Sequence, residues 1–230
     1  MALIEKAKGR KDGGYTRLFG NAKLGLLLSK AQATVISSGT ELEKEIIARS
    51  RQIYNMDEFL TTCSEWQDGV YLASKKAVKH SSIATDQEPD LLIFKLNNKR
   101  RHCYIIELKD GDAFDTKKSQ GEKNSLIAFQ NHISRRLPFT TSIHICCFNS
   151  ATRQDVVRGF KHKIAEEEAM IGSELCELLE ISYQDILDKR RIDQEANLRY
   201  FLQAMFEIPE IKAEIDQCAK PAVGTLFEEE

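Results

Sequence analysis

The chain has 230 residues, is 42% hydrophobic and 30% charged, and carries a formal net charge of −2. Such a composition excludes an intrinsically disordered chain and leaves room for one large domain or a domain with a helical appendage. The clean apolar runs are only a few residues long, which excludes a membrane-spanning helix, and the charged start "MALIEKAKGRKDGG" is unlike a signal peptide, so a cytoplasmic protein is expected.

Residues 21–36 place apolar side chains at helical spacing. Gly39 is expected to end that helix, and Thr40 with Glu43 three residues on forms a capping-box pattern for a second one, along which Leu42, Ile46, Ile47 and Ile53 make an apolar stripe. "MDEFLTTCSEW" reads as a short helix, and residues 67–88 give no clear period. Two strands follow, at about 90–96 and 102–109, rich in β-branched and aromatic residues and joined by a polar turn. A helix is expected across "KKSQGEKNSLIAFQNHISRR", a strand across "TTSIHICCFNS" and a helix across "TRQDVVRGFKHKIAEEEAMIG". The remainder reads as short helices interrupted at Pro209. This order predicts an α/β sandwich with a helical C-terminal extension: a core over 1–165 that includes the N-terminal helices, and an extension over 166–230 packed on it.

Charge is unevenly spread. Residues 99–163 hold 13 Lys+Arg against 6 Asp+Glu, whereas residues 164–230 hold 6 against 17. A basic middle suits a phosphate-binding surface, although a solvated charged face produces the same count. The six cysteines, Cys63, Cys103, Cys146, Cys147, Cys176 and Cys218, form no CxxC pair and fall mostly in apolar runs, as expected of reduced, buried thiols.

The strand pair carries the chemistry. In "EPDLLIFKLNNKRRHCYIIELKDG", Asp90 opens one apolar run, and Glu107 and Lys109 interrupt the end of the other. Side chains alternate along a strand, so Glu107 and Lys109 share a face. A two-residue turn at Asn98-Lys99 would set Asp90 opposite Glu107, with Cβ atoms about 4.5–5.5 Å apart. Two carboxylates that close repel unless a cation lies between them. Their oxygens, a nearby backbone carbonyl such as that of Leu108, and water suit Mg²⁺. A neighbouring lysine can orient the attacking water or neutralise developing charge, so Asp90, Glu107 and Lys109 suffice for metal-assisted phosphodiester hydrolysis. A bare PD…ExK match is most often a surface hairpin. Here the Asp follows Pro89 at a strand start, the ExK ends a strong apolar strand, and the spacing fits one hairpin.

These residues resemble the PD-(D/E)xK nuclease superfamily, above all the type II restriction endonucleases: Pro89-Asp90 as the PD, and Glu107-Leu108-Lys109 as the ExK. Upstream, "GTELE" is similar to the superfamily's helical acidic motif, with Glu43 the better match and Glu41 the substitute. The resemblance spans about residues 36–150. It implies a restriction-endonuclease-like mixed sheet of about four strands flanked by helices, and Mg²⁺ held by Asp90, Glu107 and Leu108. It also implies Lys109 beside the water, and products with 5′-phosphate and 3′-hydroxyl ends. Double-stranded DNA as substrate, a homodimer and a cognate DNA methyltransferase encoded nearby follow from the same resemblance. Ser119 and Gln120 fall where many members carry a polar residue, often Gln. Lys117, Lys118, Gln120, Lys123, Arg100 and Arg101 are candidate DNA contacts, each also readable as a solvated surface residue. A repair or Holliday-junction-resolving nuclease of the same superfamily, and a DNA-binding module without catalysis, remain as alternatives.

Overall fold

The computed structural model describes residues 2–11, 13–97 and 100–219. Its elements are α1 (Gly14–Phe19), α2 (Ala22–Arg49), α3 (Met56–Thr62), β1 (Gly69–Ser74), α4 (Lys75–Lys79), β2 (Leu91–Asn97) and β3 (Arg100–Lys109). There follow α5 (Thr116–Ile133), β4 (Thr140–Cys147), α6 (Arg153–Gly159), β5 (Ala169–Ile171), α7 (Gly172–Leu178), α8 (Tyr183–Phe206) and α9 (Pro209–Cys218). Packing groups the chain into two compact units, one drawn from residues up to 38 and from 189 onward, the other from 39–188.

The second unit is α/β. Its sheet has five strands in the order β1-β2-β3-β4-β5, antiparallel from β1 to β3 and parallel from β3 to β5. The resemblance implied about four strands. The parallel β3–β4 pair needs a crossover, and α5 supplies it. Both faces of the sheet are covered. Leu92, Phe94, Cys103, Ile105 and Ile145 pack with Phe59 of α3 and Leu126, Phe129 and Ile133 of α5. Leu91, Ile93, Ile106, Leu108 and Cys146 pack with Leu42 and Ile46 of α2 and with Leu175 and Cys176 of α7. Burial on both sides explains why β2 to β4 read as near-continuous apolar runs.

Three expectations change. Gly39 does not end a helix: α2 runs unbroken for 28 residues, and Thr40 and Glu43 lie inside it, not at a cap. One interior glycine costs about 1 kcal/mol of helix propensity, less than burial of Leu42 and Ile46 returns. β1 arises in the stretch without a clear period, because its alternation is too short to stand out. β5 lies inside an expected helix. Its Ala169, Met170 and Ile171 pair with Ile145, Cys146 and Cys147, and this tertiary pairing overrides helix propensity. Pro209 is the first residue of α9, where its missing N–H costs nothing.

A methyl group on Gly39 would meet only the Asp110 Cβ, at 4.0 Å. Gly39→Ala should therefore raise the stability of the protein by roughly 0.5–1 kcal/mol, read as a higher urea midpoint at unchanged slope.

The other unit is helical, with α1, α9, α2 up to residue 38 and α8 from residue 189. Asn197 ties its N-terminal segment down, accepting from the Ile4 N–H at 2.8 Å and donating to the Ala2 carbonyl at 2.9 Å. Lys30 Nζ reaches Tyr200 Oη at 3.3 Å. No helix of the described residues is long and apolar enough to cross a membrane. Cys63, Cys103, Cys146, Cys147 and Cys176 are buried free thiols and Cys218 is exposed.

Candidate active site

The β2–β3 hairpin has the expected register: Leu91 lies opposite Ile106 and Asn97 opposite Arg100. Its turn residues, Asn98 and Lys99, lie outside the described residues. One step beyond the first of these pairs stand Asp90 and Glu107, in the side-chain row of Phe94 and Ile105 that faces α5.

Asp90 is fixed from three directions. Its carbonyl accepts from the Lys75 N–H at 3.1 Å, its Oδ2 accepts from the Leu108 N–H at 3.0 Å, and its Oδ1 lies 3.7 Å from Lys75 Nζ. Glu107 Oε1 lies 2.5 Å from Lys109 Nζ, and the same ammonium donates to Glu122 Oε1 at 2.8 Å. These side chains are well covered: Lys109 is 15% exposed, Glu107 13%, Asp90 18% and Glu122 22%. Glu107 and Glu122 line a cleft of about 450 Å³, together with Lys75, Glu88, Pro89 and Lys118.

Burial, and then the charge of Asp90, push the Glu107 carboxyl up to about 7 even though Lys109 pulls the other way. Burial and Asp90 also raise Glu43. Lys109 loses solvation, yet Glu107 and Glu122 more than offset this and hold it above the ordinary lysine value. Burial works against ionisation of Glu122 as well, but its bond to Lys109 keeps that carboxyl below the usual range. The cluster around Asp90 and Glu107 therefore carries more negative charge than its two lysines balance, a condition a divalent cation relieves. Two carboxylates are what Mg²⁺ commonly takes from a protein, since it keeps several waters. Among the described residues no three His, Cys, Asp or Glu side chains converge as a metal-binding group. Asp90 and Glu107 fit Mg²⁺ as a two-carboxylate, largely hydrated site.

Of the two candidates on α2, Glu43 is the one that feels Asp90, whereas Glu41 pairs with Lys44 at 2.8 Å on the surface. Release of Glu43 from the expected cap is what lets it face this way. The Leu108 side chain is buried in the core and its N–H is given to Asp90. On α5, Lys118 borders the cleft, Lys117 is exposed, Gln120 bonds Asn124 at 2.9 Å, and Lys123 pairs with Glu168 at 2.8 Å. Ser119 is fully buried and bonds the Asp115 carbonyl at 2.9 Å. Arg100 and Arg101 sit at the other end of β3, seven and six residues and roughly 20–23 Å from Glu107. With Lys95 and His102 they line a separate hollow of about 850 Å³.

Sequence reading missed two members of the cluster, Lys75 and Glu122. Lys75 begins the short α4 directly after β1, a strand with no clear signal. Glu122 had one: it lies three residues after Ser119 and four before Leu126, hence on the buried side of α5. His102 and His144, from neighbouring strands, both bond the Ser142 hydroxyl, at 2.7 and 2.8 Å.

No family model and no solved structure matches the chain. It is 48% identical over 224 residues to the type II restriction enzyme HhaII of Haemophilus parahaemolyticus, an alignment that covers 94% of this chain and 98% of that protein. On that identity over nearly the full length of both proteins, the chain belongs to the type II restriction enzymes, in the family of HhaII.

Proposed function

We propose that this type II restriction endonuclease cuts double-stranded DNA at a PD-(D/E)xK active site of restriction-endonuclease-like fold, with Asp90 and Glu107 as ligands of Mg²⁺, the Leu108 carbonyl as a further oxygen, Lys109 as the group beside the attacking water, and Glu43 as an assisting carboxylate. The observation that carries the reading is the buried Glu107 carboxylate. It stands next to Asp90 on the paired strand, with Lys109 Nζ 2.5 Å away. A divalent cation there supplies a more acidic water and neutralises charge developing on the phosphoryl oxygen. Asp90 is held for this by the Leu108 N–H, and Glu107 by the rigid end of a central strand. Lys109 keeps an ammonium bonded to Glu107 and Glu122 of the cleft wall, placed to orient water or to meet a phosphate oxygen. Cleavage of the bond to the 3′ oxygen leaves 5′-phosphate and 3′-hydroxyl ends.

A homodimer matches a two-fold symmetric DNA site. The helical unit supports this reading, because Leu18, Val35, Ile36, Leu198 and Phe206 are large apolar residues left exposed there. A cell holding such an enzyme must protect its own sites, hence the cognate methyltransferase, and the work is done in the cytoplasm.

The test is incubation of the pure protein with phage DNA, in Mg²⁺ and in chelator. Discrete bands in Mg²⁺ alone are expected. A smear, or cutting only of branched DNA, would replace this reading with the repair or junction-resolving one. Binding without cleavage at any metal concentration would leave a DNA-binding module.

A further inference from the structure

We infer that Glu122 is a positioning residue that shares the Lys109 ammonium with Glu107 and, by giving it a second acceptor, keeps Glu107 available to the cation. The inference rests on the active site proposed above. The PD…ExK pattern does not include Glu122, which comes from α5, the helix that crosses between β3 and β4.

α5 leaves Glu122 little choice of direction. Asp115 caps the helix by accepting from the Lys118 N–H at 2.8 Å, and Leu126, Phe129 and Ile133 anchor it on the sheet. Glu122 stands one turn before Leu126, on the same side, and is about one-fifth exposed. A carboxylate so covered needs a partner, and the partner is Lys109 Nζ at 2.8 Å. Lys109 has three N–H donors and no acceptor. One goes to Glu107 and another to Glu122. Glu107 therefore faces two claims: the ammonium of Lys109 and a cation shared with Asp90. Without Glu122, Glu107 would be the sole carboxylate bonded to Lys109, and the lysine would compete with the cation for it. With Glu122, the ammonium keeps a fixed acceptor on the helix side while Glu107 serves the cation.

The experiment is Mn²⁺ binding to the full-length protein by titration calorimetry, without DNA, alongside single-turnover cleavage. Wild type is compared with Glu122→Ala, Glu122→Asp, Lys109→Ala and the Glu122→Ala/Lys109→Ala pair. Loss of Glu122 should weaken Mn²⁺ affinity about tenfold, as loss of a group that orients a metal ligand does. In the Lys109→Ala background the same change should alter affinity by less than about twofold, because two residues acting through one contact are not additive. Glu122→Asp keeps the charge and should recover most of the affinity, which separates positioning from a failure to fold. An equal loss in both backgrounds would mean that Glu122 acts on the cation directly, and would overturn the inference. So would wild-type affinity in Glu122→Ala. Wild-type protein that takes up no Mn²⁺ would remove the active-site reading itself, whereas wild-type binding and cleavage with an inert Glu122 would remove this inference alone.

Discussion

Lys109→Ala should slow single-turnover DNA cleavage roughly 10³-fold while leaving DNA affinity, measured in Ca²⁺, within about threefold. The size follows from the place of the side chain. Its side chain is 15% exposed and its ammonium is bonded to both Glu107 and Glu122, so whatever it does for the water or the phosphate it does at a set position and with little solvent around it. The affinity stays because one buried ammonium adds little to binding that is spread over many phosphate contacts. Removing it also strands two carboxylates, and breaking a partly buried pair is destabilising. Cleavage must therefore be measured well below the melting temperature of the variant, with Lys109→Gln in parallel to keep the side-chain volume. Cleavage within tenfold of wild type in both variants would take Lys109 out of the chemistry and return weight to a site that binds without cutting.

Glu107→Gln should remove the loss of stability with rising pH that Glu107 imposes on the metal-free protein between about pH 5 and pH 8. Glu107 titrates near 4.5 in an unfolded chain and is pushed to about 7 in the folded one, by burial first and by Asp90 second. Between those values the folded state keeps a proton that the unfolded chain has released. Stability is thus lost as pH rises from about 4.5 through about 7, and stays lost above it. At about 1.4 kcal/mol per unit, with part of the shift shared with Lys109, the loss is on the order of 2–3 kcal/mol. His144, driven down to about 4 by burial, works the other way and adds stability as pH rises toward about 6.5. The quantity to read is therefore the difference in urea midpoint, in chelator, between Glu107→Gln and wild type, which should grow in favour of the variant from pH 5 to pH 8. Glu43, raised by the same causes, leaves a smaller slope behind in the variant. Mg²⁺ at pH 8 should restore wild type and do nothing for the variant. Equal slopes for the two proteins would mean that Glu107 ionises normally.

Much of this site is legible in the chain. Three ionised side chains at the ends of two apolar strands, with a turn that permits one register, are a local pattern. Strand alternation and hairpin geometry carry it from residues to a cluster without knowledge of the rest of the fold. Asp90, Glu107 and Lys109 are therefore found from sequence, and so is the pairing that brings them together. Strands flanked by apolar helices likewise announce an α/β sheet covered on both sides.

The tertiary structure alone decided what depends on distant partners. The stretch at 69–74 is a strand because β2 is there to pair with it, and 169–171 because β4 is, against the helix propensity of its own residues. Gly39 continues a helix because burial of Leu42 and Ile46 outweighs what glycine costs, and that continuation turns Glu43 from a cap into a neighbour of Asp90. Lys75 and Glu122 join the cluster from α4 and α5, 15 and 13 residues from the groups they touch. Local pattern reaches only as far as a turn or a hairpin, so Asp90, Glu107 and Lys109 were determined by the sequence itself. The residues that brace them were fixed by packing, which sums over contacts that no short stretch of chain contains.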